Sequence, residues 1–369
     1  MKKVIIFGVI LFVAIVLICF QSLFERDNKA IIKIGAVISL TGDASPWGEY
    51  AKKGMDLAVE SINKNGGING RNVEIVYEDD HTDPKQAVSS WNKLSDIDKV
   101  QGIIGGVFDF TAQPLIPLAE SRKIGFISPS NFRIEGGFEL NQNSFVMLTD
   151  FDQTIMKLKP FIESNKIDNL AVVHFKSTFG TQIYKTLNKV MNELGRHLAF
   201  NEQYAKIGNN DFRTTIIKLK SENVDAVFID AVADDPLNFI KQSTQLGFRP
   251  VFITYNGALD AFTNIQDKKL LEGVVILNWE ISTPYFNQLF KDKYNIEATK
   301  SADKYFDAVY VMANAIANTN HKDAVSKYIE SNTFSTPNGQ ITFKENHSVK
   351  DLSTAIQVYK DGKLQNWPE

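Results

Sequence analysis

Residues 32–88 read IKIGAVISLTGDASPWGEYAKKGMDLAVESINKNGGINGRNVEIVYEDDHTDPKQAV, and two periodicities in this stretch decide the fold class. Ile32, Ile34, Ala36 and Ile38 alternate, which predicts a strand running to Ser39. Met55, Ala58, Val59 and Ile62 then fall at i, i+3, i+4 and i+7, one face of a helix. Asn65-Gly66-Gly67 stops that helix, because glycine takes the left-handed backbone that closes a helix without a Cβ penalty. Val73, Ile75 and Tyr77 alternate again, and Ala87, Trp91 and Leu94 mark the next helix.

Outward from this stretch the same rhythm continues. The runs from Gly102 to Val107 and from Ile124 to Ser128 have the short, continuous apolar character of buried parallel strands. Further strands are expected at residues 170–173, 226–229 and 251–254, with helical patterns at 183–194, 212–220 and 236–246 between them. Strand–helix alternation of this kind predicts an α/β fold with parallel sheets covered on both faces. In such sheets ligands gather at the carboxyl ends of the strands, where loops and helix N-termini converge. The C-terminal part differs: helices from Pro284 to Ile329 precede a strand at Ile341–Phe343 and a hairpin at Asp361-Gly362.

A chain of 369 residues has room for two domains, or for one large one. A net charge of −3, with Lys, Asp and Glu interspersed, supplies no basic block and argues against nucleic acid as a partner. Cys19 is the single cysteine, so no intrachain disulfide can form. Lys2 and Lys3 precede an uncharged run from Val4 to Phe20, near the lower limit of about 17 residues for a spanning helix. That order keeps the lysines cytoplasmic and sends the rest of the chain across a membrane. No small-x-small pair follows the run closely. Val16-Leu17-Ile18-Cys19 resembles a lipoprotein signal except at Ile18. A retained anchor, a cleaved signal and lipid attachment at Cys19 all make the remainder extracytoplasmic.

The stretch 32–88 closely resembles the start of the branched-chain amino-acid (leucine)-binding family of ABC-transporter receptors. Four features carry the likeness in order: Ser39-Leu40-Thr41-Gly42, the aromatic turn at Trp47-Gly48, the Gly66-Gly67-Ile68-Asn69-Gly70 closure, and Asp79-Asp80 followed by Asp83-Pro84. Gln113-Pro114, Ile127-Ser128-Pro129, Phe179-Gly180, Asp211-Phe212 and the run Tyr305 to Tyr310 extend it to the C-terminus. The resemblance implies the type I periplasmic binding protein fold, two doubly wound parallel-sheet lobes joined by a three-strand hinge. It divides the chain into an N-terminal segment 1–30, a first lobe of 31–149 plus 280–335, and a second lobe of 150–279 plus 336–369. It also implies a receptor that closes on a small molecule, with an ABC permease as partner and no cofactor. A membrane-tethered sensor signalling to a partner is the alternative, and a lobe pair kept only as a scaffold is a third.

The same resemblance nominates the binding residues. From the first lobe these are Trp47 in the turn before the first helix, Phe108 and Asp109 after the third strand, and Ser130 and Phe132 after Ser128-Pro129. From the second lobe they are Phe179 in the aromatic–glycine pair, Val232 in the loop after Ile229, and Asn256 where an acidic partner for the ligand ammonium would fall. Asp109 stands where the family offers donors to the ligand carboxylate, and two like charges there repel away from water. Phe132 removes a hydroxyl, and Asn256 removes a counter-charge. Either Arg133 takes over a carboxylate while Asp109 takes an ammonium, or the rings select an apolar, flat or cationic ligand. Each residue also has a local reading: Phe108, Phe110 and Phe132 as packing, Asp109 as the cap of a helix near Thr111, Arg133 as a solvated charge.

The cluster Glu78-Asp79-Asp80-His81 with Asp83 has metal-ligand chemistry, but the resemblance explains it as a strand end and the opening of a helix. Gly66, Gly67 and Gly70 follow a helix and precede a strand, the reverse of a phosphate-binding loop. His174, His197, His321 and His347 are isolated in sequence, and no nucleophile motif occurs. These readings point to binding and away from catalysis.

Overall fold

A computed structural model describes residues 31–367 apart from 207, 231–233, 280 and 352. The segment 1–30, including Cys19, and Val232 lie outside the described residues. Among the described residues no helix is long and apolar enough to cross a membrane.

The first sheet contains β1 (Ile32–Ile38), β2 (Val73–Asp79), β3 (Gly102–Gly105), β4 (Gly125–Ser128) and β5 (Ser144–Val146). All pair in parallel, in the order β2-β1-β3-β4-β5. Helices α1 (Ser45–Lys64), α2 (Pro84–Asn92), α3 (Asp109–Ala112) and α4 (Ile116–Arg122) connect these strands. Their boundaries follow the local signals. The Asp83 carboxylate accepts from the Lys85 and Gln86 N–H groups at the start of α2. The Gly67 N–H closes α1 on the Ile62 carbonyl.

After α5 (Phe151–Met156) and α6 (Lys159–Ser164) the chain builds a second sheet. Its parallel strands are β6 (Asn169–Phe175), β7 (His197–Tyr204), β8 (Ala226–Ile229), β9 (Val251–Tyr255) and β10 (Val275–Asn278). Their order, β7-β6-β8-β9-β10, repeats that of the first sheet. Helices α7 (Thr178–Glu193), α8 (Arg213–Ser221), α9 (Asp235–Gln245) and α10 (Leu259–Thr263) lie between them.

The chain then returns to the first sheet through α11 (Pro284–Tyr294), α12 (Ala302–Ala317) and α13 (Val325–Ser331), followed by the hairpin β11 (Thr333–Thr336) and β12 (Gly339–Thr342). Antiparallel β13 (Ala355–Lys360) and β14 (Lys363–Asn366) extend the second sheet beside β10. The chain thus passes between lobes three times, after β5, after β10 and after β12.

The last crossing falls later than position 336, where the sequence placed it. Phe334 and Phe343 are buried in the core around α12, and Phe343 packs edge-on against Phe145 at 5.2 Å. The Val349 N–H reaches the Leu148 carbonyl, so 336–349 stays with the first sheet. That core also takes Met55 and Ala58 of α1 and Phe306, Val309 and Met312 of α12, which cover one face of β1. Trp91 and Phe126 lie on the opposite face, edge to face at 5.4 Å.

Candidate ligand-binding site

The carboxyl ends of the strands in both sheets meet at one cavity of about 170 Å³. β1 and β6 hold equivalent places in the two strand orders, and the helix after each begins in the same way. In the first lobe Gly48, in the opening turn of α1, leaves no room for a Cβ, which would stand 1.8 Å from the Ser39 carbonyl oxygen. In the second, a Cβ on Gly180 would stand 2.1 Å from the Phe175 carbonyl oxygen. Each glycine lets a helix N-terminus settle onto its strand end. The preceding aromatic residue, Trp47 or Phe179, then lines the cavity.

Rings form most of the wall. Trp47 lies tilted against Phe108 at 5.4 Å, and Phe108 stacks on Phe110 at 5.7 Å. Phe132 meets Trp279 edge-on at 5.1 Å and stacks on Phe179 at 6.2 Å, while Tyr255 stacks on Trp279 at 4.8 Å. Phe132, 4% exposed, belongs to a core cluster shared by both lobes, together with Phe151 and Trp279. It therefore packs and lines the cavity at once.

Against the rings stand carboxylates. Asp109 opens α3; its Oδ1 accepts from the Phe110 N–H at 2.8 Å and its Oδ2 from the Phe179 N–H at 3.4 Å. The second bond crosses between lobes. Burial holds the Asp109 carboxyl above the usual carboxylate range, against those hydrogen bonds. Asp230, at the end of β8 and 1% exposed, accepts from the Tyr255 hydroxyl at 2.7 Å and the Phe175 N–H at 3.0 Å. Burial pushes its carboxyl up to about 6 despite these bonds, and the charges of Asp109 and Asp235 add to the rise. Asp43 also lines the cavity, whereas no Lys, Arg or His does among the described residues.

A second bridge closes the lobes beside the cavity. Lys300, just before α12, pairs with Asp260 of α10 and lies over the rings of Tyr50 and Trp47. Burial pulls its ammonium down to about 8.

Of the residues nominated from sequence, Trp47, Phe108, Asp109, Ser130, Phe132, Phe179 and Asn256 all line the cavity. Trp47 sits inside the first turn of α1 and not in a turn before it, because the helix begins at Ser45 with Pro46 in its first turn. Asp109 is the first residue of its helix, which begins two residues before Thr111, and its carboxylate accepts from the free Phe110 N–H of the first turn. Arg133 is neither a solvated charge nor a cavity residue: it pairs with Glu139 and Asp150. Ser130 spends its hydroxyl on the Val107 carbonyl, and the Asn256 amide oxygen accepts from the Trp279 N–H. The Asp79 carboxylate accepts from Leu40, Thr41 and His81 N–H groups, which ties it to the β1 turn. Asp230, Tyr255 and Trp279 were not selected from sequence. Their shared signal is position, at or directly after the carboxyl end of a parallel strand.

The profile of periplasmic binding proteins matches residues 31–363. The leucine-, isoleucine-, valine-, threonine- and alanine-binding protein of Pseudomonas aeruginosa is 29% identical over 346 residues, covering 89% of this chain and 90% of that one. The Leu/Ile/Val-binding protein of Escherichia coli K12 is 25% identical, covering 88% and 90%. Among solved structures, the isoleucine complex of a branched-chain amino-acid transporter substrate-binding protein from Streptococcus pneumoniae shares the fold at a TM-score of 0.78 and 19% identity, covering 91% and 98%. The benzoate complex of an ABC-transporter solute-binding protein from R. palustris does so at 0.78 and 18%, covering 91% and 95%. By sequence match over nearly its whole described length, and by a fold whose two sheets share one cavity, the chain belongs to the periplasmic binding protein family.

Proposed function

We propose that the chain is the extracytoplasmic solute receptor of an ABC importer, held at a membrane by its N-terminal segment, and that it closes its two lobes on one small molecule of the amino-acid or apolar aromatic class. The observation that carries this reading is the placement of the cavity. It lies between lobes of equal strand order, with Trp47 and Phe108 contributed by one and Phe179, Asp230 and Tyr255 by the other. A ligand touching both sets stabilises the closed arrangement relative to the open one, and the closed arrangement is the surface a permease would read. A cavity of this size suits a small solute, and the two relatives named above are Leu/Ile/Val-binding proteins, one of them also for threonine and alanine.

Thermal unfolding and small-angle scattering on residues 28–369 test the reading. Amino acids, aromatic acids, amines and short amides form the panel. A true ligand at about 100-fold its dissociation constant adds about 2.7 kcal/mol and contracts the scattering radius. A panel in which no compound raises the unfolding temperature or changes the radius would defeat the receptor reading and favour the scaffold.

A further inference from the structure

Resting on the receptor reading above, we infer that the cavity selects an organic monocation, an alkyl or aryl ammonium compound, over a zwitterionic amino acid. The first ground is that the backbone donors at the start of α7, which an incoming carboxylate would seek, are already used. Asp109 takes the Phe110 N–H with one oxygen and, across the cleft, the Phe179 N–H with the other. The Ser177 hydroxyl takes the next N–H of α7, that of Gly180, at 2.9 Å. The protein's own carboxylate thus fills the anion position at the start of α7.

The second ground is charge. Asp43, Asp109 and Asp230 line the cavity, and no described lining residue is cationic. The cations beside it are committed elsewhere, Lys300 to Asp260 and Arg133 to Glu139 and Asp150. An α-carboxylate entering at the start of α7 would face Asp109 where the Phe179 and Gly180 N–H groups are already taken, whereas an ammonium group would face carboxylates. The third ground is shape. Trp47, Phe108, Phe179, Tyr255 and Trp279 present rings to the same space, and ring faces attract a desolvated cation. Rings would serve any apolar ligand, and carboxylates any cation. Together they describe an ammonium group carrying an apolar or aromatic substituent.

Calorimetric titration at pH 7.5 tests this with matched compounds: leucine, 3-methylbutylamine and 4-methylpentanoate; phenylalanine, phenethylamine and 3-phenylpropanoate; and choline. Each amine is expected to bind at least about tenfold more tightly than its amino acid, with no measurable binding of the acids. Asp109→Ser should release the Phe179 N–H, lower amine affinity about tenfold and raise that of the amino acid. Asp109→Asn, closer in shape and neutral, should lose amine affinity without that gain, and thermal unfolding confirms that each variant is folded. An amino acid or acid binding more tightly than its matched amine would overturn the inference. So would an amine-to-amino-acid preference unmoved in Asp109→Ser, or binding by none of the compounds. Leucine binding more tightly than 3-methylbutylamine, with contraction of the radius, defeats the cation inference and leaves the receptor reading standing. Amine binding without contraction does the reverse.

Discussion

Asp230→Asn should make the ligand-free protein more stable at pH 7.5 and leave it no more stable at pH 4. The carboxyl is buried, and its midpoint rises from 3.8 to about 6. Between those values the folded chain keeps a proton that the unfolded chain has lost. Stability therefore falls as pH rises through that window and levels off above it. A displacement of this size corresponds to about 3 kcal/mol at neutral pH. Asparagine keeps the shape and removes the charge. Its oxygen can accept from the Phe175 N–H, and its amide can donate to the Tyr255 oxygen. Weaker, uncharged hydrogen bonds take back about 1 kcal/mol, which leaves a net gain of about 2 kcal/mol. For a chain of this length that raises the unfolding midpoint by about 3 °C. Calorimetric melting of both proteins at pH 4 and pH 7.5 provides the comparison. A variant that melts lower at pH 7.5, or that gains equally at both pH values, would refute the assignment of the cost to a buried charge.

Four further outcomes follow from the same geometry. Tyr255→Phe removes the hydroxyl that holds Asp230 down, so stability at pH 7.5 should drop by about 1.5 kcal/mol and the pH profile should move upward. Gly48→Ala forces α1 off the Ser39 carbonyl, which costs about 3 kcal/mol by urea unfolding and weakens ligand binding through the displaced Trp47. Phe132→Ala opens a void in the core shared by both lobes; a loss of about 4 kcal/mol and a larger ligand-free scattering radius are expected. Lys300→Met breaks the half-exposed bridge to Asp260, worth about 1 kcal/mol, and should enlarge the ligand-free radius. The unaltered protein should approach that radius as pH rises past about 8, where the ammonium loses its charge.

The fold was legible where its signals were local. Asn65-Gly66-Gly67, Asp83-Pro84 and Asp361-Gly362 set a helix end, a helix start and a hairpin turn through the backbone preferences of the residues themselves. The start of α1 was not, because its apolar face becomes periodic only near Met55, while its first turn is fixed by Pro46 and by contact with Ser39. The late third crossing depends on Phe334 and Phe343 joining a core built largely from residues far away in sequence. The site divides in the same way. Trp47-Gly48 and Phe179-Gly180 could be found because the pair answers a local demand, a helix seated on a strand end. Asp230 and Trp279 end or follow apolar runs, Ala226–Ile229 and Val275–Asn278, and read as strand termini until the second sheet brings them to the cavity. The bond from Phe179 to Asp109 spans 70 residues and two lobes, and no spacing rule predicts it.

That bond ties ligand charge to conformation. The contact between Asp109 and α7 joins the two lobes, and the Asp109 charge adds to the rise of the buried Asp230 carboxyl. On the receptor reading proposed above, like charges brought together oppose closure and bias the ligand-free chain toward opening through the same groups that line its site. A neutral ligand must close the lobes against that repulsion through ring contacts alone, and an anion adds to it. A cation reverses its sign. On that reading, a cation offsets the part of the Asp230 rise that Asp109 contributes, and the closed form gains over the open one. The acidic pair would then be the element that converts occupancy into closure.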